Sequence, residues 1–170
     1  MISRINKDKV KSIECFIRYC QQQNIEFEIA GDEQAGSNLK KILRKKYNLS
    51  ESHFIGRVNT LEYLSQHIDD VLFVGGVGLV ILEAAYLNYP CLCCSDWKGA
   101  NYSFITLSNI DLFDNFTIRK QSLVTLNGKK EFRFDLEKLN NYGVRNYIIS
   151  NRAFNLITAK YLNIIGGKKC

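Results

Sequence analysis

Two cations near the start of the chain and a glycine-rich turn near its middle are the groups best suited to holding a doubly charged anion. Arg4 closes a short apolar run and Lys9 opens the amphipathic stretch that follows it. Gly75-Gly76-Val77-Gly78 joins an apolar, strand-like run to an apolar, helix-like run that contains one acid, Glu83. A strand-to-helix turn without side chains leaves backbone N–H groups unpaired at a helix start, where phosphate oxygens accept them. A guanidinium supplies bidentate hydrogen bonds to the same oxygens and an ammonium supplies a point charge. A carboxylate one turn deeper suits the hydroxyls of a sugar. Together these residues predict a diphosphate ester of a sugar as ligand.

Each feature has a plainer reading. The glycine turn lacks the spacing of the dinucleotide fingerprint and the Gly-Lys-Ser/Thr of a P-loop, so a tight turn without any ligand accounts for it locally. Glu83 fits equally well as an exposed acid on the one polar stripe of its helix, because an unpaired buried carboxylate is costly. Arg4 and Lys9 fit ordinary surface basicity, the reading that suits Lys7.

The elements that must position these groups alternate. The apolar spacing predicts strands over 2–5, 26–30, 53–55, 71–74 and 91–94, and helices over 10–23, 37–47, 61–67 and 78–88. Strands separated by helices make a Rossmann-like, doubly wound α/β fold, a parallel sheet with helices on both faces. In such a sheet ligands bind beyond the carboxyl ends of the strands. Those ends carry Arg4, Gly31-Asp32, Gly56-Arg57, the turn at 75–78 and Ser95-Asp96, so glycine gathers on one rim. Over 97–130 the periodicity fades, with a turn or hairpin signal near Gly128. A last helix is predicted over 144–162.

At 170 residues, 46% hydrophobic and 12% aromatic, the chain has the size and composition of one folded domain rather than of a disordered segment. It holds one proline, Pro90, and no linker-like run at which to divide it. No apolar run is long enough to span a bilayer, and the first residues lack a signal-peptide core. With cysteines inside predicted strands and helices, this predicts a cytoplasmic location. The two histidines, His53 and His67, are distant in sequence from the cysteines, so no metal-ligand set is expected. The net charge of +6 suits phosphorylated ligands, an anionic membrane face or nucleic acid. Around 38–47, however, lysines and apolar residues segregate as on a solvated helix, with no aromatic platform for a nucleic-acid strand.

Four segments in order, 3–9 (SRINKDK), 27–32 (FEIAGD), 54–57 (FIGR) and 78–90 (GLVILEAAYLNYP), together resemble the C-terminal, donor-binding half of GT-B glycosyltransferases, nearest to their family 4. The resemblance covers about residues 2–96. It implies one half of a GT-B fold that binds a nucleotide-diphospho-sugar, a UDP-sugar in particular, and transfers the sugar to a saccharide or lipid-linked acceptor in surface polysaccharide synthesis. By that resemblance Arg4 and Lys9 hold the donor diphosphate, Glu83 the nucleotide ribose, and Arg57 and Val58 the base, while Gly75, Gly76, Val77 and Gly78 form the glycine loop. The family usually carries a second glutamate, for the transferred sugar, where this chain has Gly75. The resemblance further implies a single donor domain over 1–170 and an N-terminal acceptor domain supplied by the same or another chain. It implies no cofactor beyond the donor, no bound metal and no nucleic-acid partner, and a location at the inner face of the membrane. A sugar-nucleotide 2-epimerase half and a non-catalytic flavodoxin-like module are the alternatives.

Overall fold

The computed structural model describes residues 1–95, 101–105, 113–114, 117–118 and 141–148. Helix α1 spans Val10–Gln23, as its periodicity predicts, and buries Ile13, Phe16, Ile17 and Cys20. It stops at Asn24, whose left-handed backbone (φ 54°) turns its N–H onto the carbonyls of Cys20 and Gln21. Helix α2, Leu39–Tyr47, ends on Asn48 in the same way. Its start is served from a distance, by Glu33, whose Oε1 accepts from Ser37 Oγ at 2.7 Å and from the Lys40 N–H at 3.1 Å. Helix α3, Thr60–Gln66, is capped by Asn59, which accepts from the Glu62 N–H. Helices α4, Leu79–Tyr86, and α5, Asn141–Ile148, follow.

The strands are β1 Ile29–Ala30, β2 Phe54–Gly56, β3 Val74–Gly76, β4 Cys91–Ser95, β5 Asn101–Phe104, β6 Phe113–Asp114 and β7 Thr117–Ile118. β1 pairs with β2 in parallel, β3 with β4 in parallel, and β5 with β4 antiparallel. β6 and β7 form a separate antiparallel ribbon. The predicted strand over 2–5 is not a continuous ladder: it makes isolated parallel bridges, Ile2 to Ala30 and Ile5 to Glu33. It still stitches the two parallel ribbons together. The Ser3 N–H donates to the Ala30 carbonyl at 2.9 Å, the Ala30 N–H to Met1, and the Ile2 N–H to the Gly75 carbonyl at 3.2 Å. From one edge the order is therefore β2, β1, segment 1–5, β3, β4, β5. Direction of progression reverses between segment 1–5 and β3, which is the switch point at which such sheets open a crevice.

Side-chain alternation along β4 divides the core. Cys91 and Cys93 point to the face covered by α3, α4 and α5, among Leu64, Ile81, Ala84 and Val144. Leu92 and Cys94 point to the opposite face, against Phe16, Tyr19, Phe73 and Phe104. A third cluster joins α1 and α2 to β1 and β2 through Ile13, Ile17, Ile29, Leu43 and Phe54. Two covered faces make the doubly wound α/β fold that the sequence predicts, with one antiparallel edge strand, β5, that the fading periodicity past residue 97 does not reveal. The predicted turn near Gly128 lies outside the described residues, as does the predicted final helix beyond Ile148. Among the described residues no helix is long and apolar enough to cross a membrane.

Candidate functional site

The central turn differs from its sequence reading by two residues. The fourth predicted strand, 71–74, is observed as β3 at Val74–Gly76, so Gly75 and Gly76 are buried strand residues, paired in register with Leu92 and Cys93. This corrects their placement in the turn. Their missing side chains admit neighbours: a Cβ on Gly75 would lie 2.3 Å from the Phe16 ring, and one on Gly76 2.4 Å from Val80 Cγ1. Only Val77 and Gly78 form the turn proper. Gly78 adopts φ 72°, which favours glycine, and a Cβ there would meet nothing within 4 Å. It is the N-cap of α4 and its position is open; with no side-chain cap, the first N–H groups of that helix are left for an outside acceptor.

Segment 1–5 brings Arg4 toward this turn. Ile2 bonds the Gly75 carbonyl and its own oxygen lies 3.3 Å from where a Gly76 Cβ would be. Arg4, two residues on, is about 7 Å further along the extended chain and is exposed. Close approach of Gly31 makes this possible, since a Cβ there would sit 1.8 Å from the Ser3 carbonyl oxygen. Lys9 is half-buried at the start of α1, its N–H held by both the backbone oxygen and Oδ1 of Asn6. Asn6 is a positioning residue the sequence reading passed over; an Asn four residues before the first residue of the helix is the signal that would have found it.

The turns after β1 and β2 join the same rim, because the Gly31 N–H donates to the Gly56 carbonyl at 2.6 Å. Gly56 takes φ 78°, and Arg57 emerges exposed beside half-buried Val58. Glu83 lies in the second turn of α4, half-buried. Leu79, four residues earlier on the same helical face, is 66% exposed. The ion pairs among the described residues join Arg44 to Glu51 and Lys46 to Glu14. Arg4, Lys9, Arg57 and Glu83 take part in none of them and make no side-chain hydrogen bond within the described structure.

Elsewhere, chemically capable groups are engaged or muted. Burial pushes the Cys20 thiol up to about 12 and the thiols of Cys91 and Cys94 upward as well, so these behave as small core residues. Cys15 is lowered, chiefly by its hydrogen bond with Cys94. Among the described residues no group of His, Cys, Asp and Glu is arranged to hold a metal ion.

No protein-family model matches the chain, and no curated protein sequence does. A solved structure does: a point mutant of S. aureus TarM in complex with fondaparinux, alpha-GlcNAc-glycerol and UDP, with a TM-score of 0.54 and 21% identity. The match covers 95% of this chain and 34% of that one, so the chain spans about a third of the length of the structure it resembles. The likeness is one of fold: an α/β, Rossmann-like half-domain of the kind found in that GT-B structure.

Proposed function

We propose that the chain is the donor-binding half of a glycosyltransferase, similar to GT-B family 4, that takes a sugar from a nucleotide-diphospho-sugar, with UDP as the nucleotide. The acceptor is a saccharide or lipid-linked glycan in surface polysaccharide synthesis, and the second half comes from the same or another chain. The observation that carries the reading is the open turn at Gly78, uncapped and at the sheet's switch point, on the rim that also holds the unpaired Arg4. A neighbour of the same fold crystallised with UDP supports it.

As the bond from sugar to diphosphate breaks, negative charge grows on the leaving UDP. Arg4 and Lys9 neutralise that charge, and the amides of Val77 and Gly78 donate hydrogen bonds to its oxygens, an electrostatic contribution made where the charge develops. Glu83 orients the ribose through its hydroxyls, while Arg57 and Val58 flank the base. Gly75 and Gly76 serve by packing, which lets α1 and α4 close on β3. No cofactor is needed for this step.

Titrating UDP into the isotope-labelled chain tests the reading. Saturable shifts of the amides over 77–83 and of the Arg4 guanidinium are expected, weaker with UMP. Shifts absent from this rim at saturating UDP, or equal affinity for UMP and UDP, overturn it.

A further inference from the structure

The sequence predicts strands over 26–30 and 71–74, yet β1 begins at Ile29 and β3 at Val74. What both lack at their amino ends is a neighbour between them. Segment 1–5 fills the space between β1 and β3 from Met1 onward; ahead of Met1 that space is a cavity, walled by 25–28 on one side and 70–73 on the other. Its walls stand two strand spacings apart, about 10 Å, and run for four residues, about 13 Å. Phe27 and Phe73 both pack on Phe16 of α1, with ring centroids at 5.7 and 6.0 Å, so the side toward α1 is aromatic. The side toward α3 holds Tyr63, with the carboxylates of Glu28 and Asp70 near its hydroxyl. Along a parallel ladder the N–H and carbonyl of one residue face the same neighbour, and those of the next residue face the other. Ala30 donates to Met1 and accepts from Ser3, so Glu28 faces the same way; its carbonyl takes the Met1 nitrogen at 2.5 Å. Gly75 gives its carbonyl to Ile2. The N–H groups of Glu28, Phe73 and Gly75 have no backbone partner among the described residues.

We infer that this slot is the docking site of one further extended peptide strand, joined ahead of Met1 and continuing the line of segment 1–5. The first residue ahead of Met1 accepts from the Gly75 N–H and donates to the Phe73 carbonyl, and the carbonyl of the second accepts from the Glu28 N–H, so the ladder closes on both sides. Met1 packs toward α1 and Ile2 toward α3 and α4. By alternation the first added residue faces Tyr63 and Glu28, and the second faces the rings of Phe16, Phe27 and Phe73. The lining includes Glu26, Glu28 and Asp70 and, among the described residues, no lysine or arginine. The strand is therefore basic toward α3 and apolar toward α1. Desolvation pulls the Met1 amino group down from 8.0 to about 6, because a charge is costly there; a peptide N–H in its place makes the same bond to Glu28 without charge. The inference stands on unpaired backbone groups and holds whether or not the rim binds UDP.

Amide hydrogen exchange on the labelled chain tests it, with the peptide MIKVK joined ahead of Met1 and compared with MKIKV, which swaps the two faces. The first extension is expected to slow exchange of the Glu28 and Gly75 amides by about tenfold or more, and the second to slow it much less. The free MIKVK peptide at about 0.1 mM is expected to protect less than the joined one, because joining supplies an effective concentration of about 1 mM or more. Circular dichroism verifies that both extended proteins keep the fold of the unextended chain, and UDP titration of the same samples reports separately on the donor reading. Unchanged exchange with MIKVK, equal protection by MKIKV, or equal protection by the free peptide each overturns the inference.

Discussion

At the amino edge of the sheet Glu28, His53, Tyr63 and His67 are engaged in hydrogen bonds, whereas at the carboxyl edge the side chains of Arg4, Lys9 and Arg57 are not. The amino edge surrounds a cavity of about 1350 Å³ that reaches Phe27, His53, Tyr63, His67 and Asp70. There Tyr63 Oη donates to Glu28 Oε2 at 2.8 Å, His67 Nδ1 bonds the Tyr63 carbonyl, and its ring stacks on Tyr63 at 4.2 Å. His53 is bonded to Ser50 Oγ and packs edge-on against Phe27. The carboxyl edge carries Arg4, Lys9 and Arg57 unpaired beside an uncapped helix start. Internal pairs hold the amino edge together, whereas the charges at the carboxyl edge are left for the proposed ligand to meet.

Three substitutions test that division, beginning with the one expected to matter most. Gly31→Ala places a methyl group 1.8 Å from a backbone oxygen at φ +154°, so segment 1–5 must leave the sheet. A loss of about 4 kcal/mol or more is expected in urea unfolding, together with loss of the rim; a small change would mean that the segment is not held as described. Arg4→Ala is expected to weaken UDP binding by about 10- to 100-fold, as for a hydrogen bond to a charged group, while stability moves by no more than about 0.5 kcal/mol. If instead the unfolding midpoint falls and UDP affinity does not, Arg4 belongs with the structural groups.

Tyr63→Phe reverses the expectation, with stability falling by about 1 kcal/mol and UDP binding unchanged. It also carries a pH signature. Burial first, then the hydrogen bond to Glu28, raises the Tyr63 hydroxyl from 10.0 to about 12. In that window the folded chain keeps a proton that the unfolded chain has lost, so stability is full below pH 10 and declines toward pH 12. The slope is expected to be shallower in Tyr63→Phe; Tyr19 and Cys20, likewise raised to about 12 by burial, contribute to what remains. An identical slope in both proteins would show that the Tyr63 hydroxyl is neither buried nor bonded to Glu28 in solution as described.

Helix α1 was legible to the residue because the spacing of Ile13, Phe16, Ile17 and Cys20 is a local property, and so was the α/β alternation. Gly75 and Gly76 were not legible in the same way. A strand ends where its partner stops pairing, and Cys91–Cys93, more than a dozen residues later, carry β3 through both glycines. Segment 1–5 likewise depends on Ala30 and Gly75 for its bonds, which no local pattern contains. Nor does sequence distinguish a glycine whose empty side is filled by Phe16 from one, Gly78, whose empty side is open.

The amino-acid sequence by itself determined the helices, the order of the elements and the rim on which arginine, lysine and glycine gather, since all three follow from short-range periodicity and chain direction. Which of the glycines face open space, and which cations remain unpaired, only the tertiary structure decided. Steric occupancy and charge pairing are set by atoms brought together from distant parts of the chain.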